Sequence, residues 1–97
     1  MSKDIRNGSF VWDSEKEKQN IQKHNVDFFT ACEVFYDKKR IIAVDEKHSN
    51  EEQRYFCIGK TNNRVLTVRF VYRNKLIRIF GGGYWRKGRL LYEKQNG

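Results

Sequence analysis

Proline is absent from the 97 residues, serine is scarce and cysteine occurs twice. Disordered chains are usually rich in proline and serine and poor in aromatics. Here fourteen aromatic residues accompany the Ile, Val and Leu residues, so a folded domain with one small core is expected. Cys32 and Cys57 are too few for a disulfide framework, and no CxxC pair points to zinc or redox chemistry. Both read as buried thiols. His24 and His48 stand apart from each other and from the cysteines, without HExxH spacing, so neither a metal nor another cofactor is expected. No apolar run approaches the roughly 20 residues that span a bilayer, and the polar stretch 1–8 offers no hydrophobic region for a signal peptide. The expectation is a single domain over residues 1–97, off the membrane and cytoplasmic.

Acidic residues are the other scarcity, and a local one. Residues 1–52 hold nine Lys/Arg against eleven Asp/Glu, whereas residues 53–97 hold eleven Lys/Arg and one acid, Glu93. The formal charge of +8 therefore comes from the second half. A one-sided excess of this kind attracts polyanions, whereas a surface that only keeps a protein soluble normally mixes both signs.

The hydrophobic pattern predicts an α+β fold. Phe10–Trp12 reads as an opening strand, stopped by Asp13 and Ser14. Ser14 with Glu17 has the spacing of a capping box, so a helix is predicted over 14–24, closed by Asn25 as a left-handed cap. It is polar nearly all round, with Ile21 as its main apolar contact. A second helix follows Asp27, with Phe28, Ala31, Cys32, Val34 and Phe35 on its core side. Strands are predicted over 41–44, 54–60, 65–73 and 76–80, joined by a polar loop at 45–52 and tight turns at 61–63 and 74–75. Such short turns make consecutive strands antiparallel, giving a small meander under two N-terminal helices. Residues 84–94 then read as a C-terminal helix, in spite of Gly88.

Gly81, Gly82 and Gly83 sit between the last strand and that helix. Gly83 and Gly88 have the spacing of a phosphate loop, but Arg89 and Leu90 supply neither its lysine nor its hydroxyl. Two readings stay open: glycines at unusual backbone angles that offer N–H groups to an anion, or a flexible joint with no ligand. Trp85 beside Arg86, Lys87 and Arg89 is a combination that stacks an unpaired base while holding its phosphates, although Trp85 also suits a core anchor. Arg69 and Arg78 are cations in mid-strand, costly unless they line a groove or find a partner.

Several segments together resemble the BrnT family, the ribonuclease half of bacterial type II toxin–antitoxin pairs. They are FVWD (10–13), NIQKHNVDF (20–28), EVFYD (33–37), DEKHSNEEQRY (45–55), IGK (58–60) and IRIFGGGYWRKGRLLYE (77–93). The resemblance implies a RelE-like fold of two N-terminal helices on a small antiparallel sheet with a further helix. It also implies metal-independent RNA cleavage and neutralisation by a BrnA-like ribbon-helix-helix antitoxin. Many members end the last strand with a serine-alanine-arginine-like stretch, where this chain has Gly81–Gly83; Arg86 or Lys87 would then replace that arginine.

Metal-free cleavage requires the 2′-hydroxyl to attack its neighbouring phosphorus, a base and an acid to move protons, and cations around the phosphorane. His24, an imidazole near the end of the first helix, is the candidate acid or base, with Lys23 beside it. Arg54, Arg78 and Arg86 complete the catalytic set. Arg69, Gly82, Gly83, Trp85, Lys87 and Arg89 form the RNA-binding set, because guanidinium forks suit phosphate oxygens. The expected partners are RNA and the antitoxin, in a 2:2 heterotetramer that binds operator DNA. The alternative is a basic module that binds RNA or DNA without cutting it.

Overall fold

In the computed structural model, which describes residues 2–97, the first two elements are short strands, β1 (Asp4–Asn7) and β2 (Phe10–Asp13). Two helices follow, α1 (Ser14–His24) and α2 (Phe28–Glu33), the second running into a 3-10 turn at Val34–Tyr36. Four strands come next: β3 (Ile41–Val44), β4 (Tyr55–Thr61), β5 (Arg64–Arg73) and β6 (Leu76–Gly83). The chain closes with α3 (Arg86–Asn96). All six strands form one sheet in the order β1-β2-β6-β5-β4-β3.

The α+β class holds, with two corrections to its layout. The expected helices are not the first elements, because α1 follows a two-stranded hairpin. The sheet is not purely an antiparallel meander: β3 to β6 form one, but β2 lies parallel to β6, with Phe10 opposite Ile77 and Trp12 opposite Ile79. β1 escaped the sequence reading because DIRN has no apolar alternation; it is a charged strand at the sheet's edge, turned back onto β2 through Gly8 at φ 61°. Among the described residues no helix is long and apolar enough to cross a membrane.

The alternation of β5 decides what each face carries. Leu66, Val68 and Phe70 point to one side, where Trp12, Cys57 and Ile79 join them beneath Phe28, Ala31 and Val34 of the helical layer. That is the main core, and both cysteines are buried in it. Burial pushes the Cys57 thiol up to about 12, so it stays protonated. Val65, Thr67 and Arg69 point to the opposite side, and α3 covers only part of it, through Tyr92 against Ile58 and Val65. The Tyr92 hydroxyl donates to Asp37 Oδ2 at 2.6 Å, and the same carboxylate accepts the N–H groups of Lys60 and Lys39. Burial opposes charge on Asp37, but these donors outweigh it and hold the carboxyl below its ordinary value.

Several local expectations resolve differently. Asp13, not Ser14, caps α1, accepting from the Glu15 N–H. Glu17 instead accepts from the Trp12 indole at 3.1 Å and from the Phe28 N–H at 2.9 Å, tying the two helices to β2. Ile21 is 42% exposed and Asn20 is the buried residue of α1. Asn25 does take the left-handed cap, at φ 56°.

The glycines differ most from expectation. Gly81–Gly83 do not leave the strand; they are its buried last three residues, and none has a positive φ. What they supply is space. A Cβ on Gly83 would lie 2.6 Å from the Trp85 ring, and one on Gly81 would lie 3.1 Å from the Arg69 guanidinium. Gly88 does the same for helix-on-sheet packing, since a Cβ there would meet Thr67 Oγ1 at 2.0 Å. Gly88→Ala would gain about 1 kcal/mol in an exposed helix, but here the overpacking should leave a net loss of about 2 kcal/mol in urea unfolding.

Candidate functional site

The site is laid out by a mismatch in length. β2 ends at Asp13 while β6 continues to Gly83, so the far end of β6 lacks a strand on that side. α1 takes the vacated place. The Asn20 amide donates to the Gly82 carbonyl at 3.0 Å and its oxygen accepts the Gly82 N–H at 3.1 Å, pairing as a strand's peptide group would. Its amide also donates to the Val26 carbonyl at 2.9 Å, which fixes the turn after the helix.

This pairing sets a register. Four residues of helix rise about 6 Å, close to the roughly 6.6 Å of two strand residues, so i, i+4, i+8 positions of α1 can keep step with β6. Lys16, one helical step before Asn20, has its ammonium 5.8 Å from the centre of the Phe80 ring. His24, one step after, stands edge-on to Trp85 with ring centres 5.3 Å apart and planes at 87°. Phe80 is the extra residue of a β-bulge: Arg69 pairs with Gly81 but Phe70 pairs with Ile79.

Cations gather at that bulge. The Arg54 guanidinium lies 4.8 Å from the Phe80 ring centre, opposite chemistry to the ring's negative face. Lys16, Arg54 and Arg69 line one small cavity of about 110 Å³ with Phe80 and the buried Asp45. Arg69 is half-buried, its guanidinium crosses the space left by Gly81, and its Nε is buried without a hydrogen-bond partner among the described residues. A guanidinium with an uncommitted buried donor can take an anion's oxygen.

The expected site residues thus divide. His24 and Gly83 each meet Trp85, and Lys23, Arg86 and Lys87 are exposed neighbours of these residues in the chain. Arg54 and Arg69 meet around Phe80. Gly82 is buried with its N–H given to Asn20, so that group is not offered to a ligand. Arg78 is engaged from β1, donating to both Asp4 oxygens at 2.6 and 3.2 Å, and that pair holds the Asp4 carboxyl below its usual value. Arg89 is exposed and faces Glu93 at 3.5 Å. Glu52 pairs with Arg73, and the His48 ring lies 2.9 Å from Asp45.

Sequence reading passed over Lys16, Asn20 and Phe80. The signal for two of them was present, a polar stripe of Lys16, Asn20 and His24 at helical spacing on a helix with almost no apolar face. Phe80 carried none, since the bulge that exposes it exists only once β5 and β6 are paired. Among the described residues no group of three or more His, Cys, Asp or Glu side chains is placed to hold a metal ion.

A family model described as "Ribonuclease toxin, BrnT, of type II toxin-antitoxin system" matches residues 12–88, which include α1, the whole of β6 and the first three residues of α3. No curated protein matches the chain. Because the Asn20 amide alone satisfies both polar groups of Gly82 and the Val26 carbonyl, Asn20→Ala should cost about 3 kcal/mol of unfolding free energy. A loss below about 0.5 kcal/mol would mean that water replaces the amide without penalty.

Proposed function

The chain belongs to the BrnT family of ribonuclease toxins of type II toxin–antitoxin systems, with RNA as substrate and an antitoxin protein as partner, and on that premise we propose a metal-independent endoribonuclease of single-stranded RNA. The 2′-oxygen bonds to the adjoining phosphorus as its proton passes to a base. The P–O5′ bond then breaks and the 5′-oxygen is protonated, leaving a 2′,3′-cyclic phosphate and a 5′-hydroxyl. His24 serves one of the two proton transfers, with Lys23 beside it. No cofactor is needed for this route.

The observation that supports this reading best is the stripe along β6. Lys16 and His24 are eight helical residues apart, about 12 Å along the axis, with Arg69 laid across Gly81 in between. That span suits successive nucleotides rather than one phosphate. Arg69 and Arg86 hold the phosphate near His24 and stabilise its developing charge, while Lys16 and Arg54 hold the next one beside Phe80. Trp85 offers a face for an unpaired base, and Lys87 and Arg89 add positive charge around the first turn of α3. Arg78, held by Asp4, contributes its charge from farther along β6.

The partner is proposed to be a BrnA-like ribbon-helix-helix antitoxin. It brings acidic residues to the basic half of this chain and joins two toxins and two antitoxins into a complex that binds operator DNA. The complex acts in the cytoplasm. The non-cutting alternative keeps the same cation surface but makes His24 only a helix end resting on Trp85.

Incubating labelled single-stranded RNA with the protein in EDTA separates the readings. Wild type should yield cyclic-phosphate ends, and His24→Ala should be slower by about 100-fold or more. Arg69→Ala should weaken cleavage more than Arg78→Ala, because only Arg69 has an uncommitted buried donor. RNA bound tightly but left uncut by wild type would establish the binding module instead, and cleavage that appears only on adding Mg²⁺ would overturn metal independence. For the partner, light scattering of the co-expressed pair should give the mass of two toxins and two antitoxins. A strictly 1:1 complex would contradict it.

A further inference from the structure

Under the first turn of α3 lies a cavity of about 330 Å³ that no role above occupies. It opens on the same sheet face as Arg69, on the part next to the helix. Phe56 from β4 and Ala43 from β3 form one wall, and Trp85 forms another. Lys87 is the one charged side chain among the described residues lining it. The floor includes Thr67, which is 5% exposed and whose Oγ1 is buried without a hydrogen-bond partner. Gly88 lies directly over that hydroxyl and leaves no room for a side chain.

These features narrow the occupant. The volume is at the small end of ligand sites, which begin at about 300 Å³, so a single flat group fits better than a folded segment. Apolar and aromatic walls favour a ring face. The lysine favours an anion attached to that ring. An unpaired nucleobase on a phosphate backbone combines both. Position supplies the rest, because Trp85 is shared: its ring meets the His24 ring and also lines the cavity. An occupant would therefore be attached to a nucleotide next to the one at His24.

We propose that this cavity is a nucleobase subsite of the ribonuclease. It takes the unstacked base of a nucleotide flanking the scissile bond, against Trp85 and Phe56, with Lys87 meeting the attached phosphate. The subsite rests on the ribonuclease reading for its substrate, but it is a statement about binding and can be tested without turnover. It also assigns Gly88 a second consequence: by letting α3 approach the sheet closely, it brings Trp85 and Lys87 over Thr67.

The test uses a short single-stranded oligonucleotide of 2-aminopurine nucleotides with 2′-O-methyl sugars, which cannot be cleaved by 2′-hydroxyl attack, and the same backbone without bases. Wild type should quench 2-aminopurine fluorescence and bind the base-carrying oligonucleotide about tenfold more tightly than the abasic one. Ala43→Phe, which fills the cavity from β3, should abolish that difference while leaving affinity for the abasic backbone unchanged. Phe56→Leu keeps that wall apolar but removes its ring face. It should weaken binding of the base-carrying oligonucleotide about threefold while leaving the abasic one unchanged, a split that a merely structural phenylalanine would not produce. Equal binding of the two oligonucleotides by wild type, or a base-dependent difference that survives in both variants, would overturn the subsite. If wild type fails to cut RNA but shows the base-dependent difference and loses it in Ala43→Phe, the subsite stands and the catalytic reading falls. If neither oligonucleotide binds, both fall.

Discussion

One carboxamide holds the working end of this protein together. Where β2 runs out, the edge of β6 would otherwise expose the peptide groups of Gly82 in a buried place, and Asn20 meets both of them from a helix. An unsatisfied buried N–H and C=O would each cost about 1–3 kcal/mol, so the side chain does more than decorate the interface. It also aligns α1 with β6, because a helix and a strand can keep step only when one point of contact is fixed. Lys16 and His24 owe their positions beside Phe80 and Trp85 to that contact.

The three glycines become intelligible in the same frame. Gly82 lies where a Cβ would come within 3.3 Å of the Thr67 carbonyl on β5, Gly81 yields its space to the Arg69 guanidinium, and Gly83 yields its space to the Trp85 indole. Side chains given up on β6 are replaced by larger ones arriving from β5, α1 and α3. Composition at one place thus reflects volume needed by residues far away in the chain.

Charge follows a comparable division. The excess of cations in the second half does not form one continuous cluster, since Arg78 is held by Asp4, Arg73 by Glu52, and Arg89 faces Glu93. Arg64 spends its charge on the Tyr84 ring, 3.7 Å from the ring centre. Among the described residues, the cations outside these pairs include Arg54 and Arg69, which with Lys16 share the bulge cavity with the buried Asp45, and the exposed Arg86 and Lys87 at the start of α3; Lys60, Lys75 and Lys94 are also outside them. Two of the acids in these pairs, Asp4 and Glu52, come from the nearly neutral first half.

By itself the sequence determined the α+β class, the strands from β3 to β6, the helix over 14–24 with its left-handed Asn25 cap, and the family. These depend on periodicity, turn residues and local spacing, which are written in consecutive positions. It also pointed to His24, Trp85, Arg54 and Arg69, through residue type alone. The tertiary structure decided what depends on neighbours distant in sequence: the parallel seat of β2 beside β6, the bulge at Phe80, the replacement of a strand by α1, and which arginines keep their charge free. A charge is free only if no acid lies within reach, and a glycine is needed only if something else must occupy its space. Both are facts about three-dimensional proximity, set when the chain closes on itself.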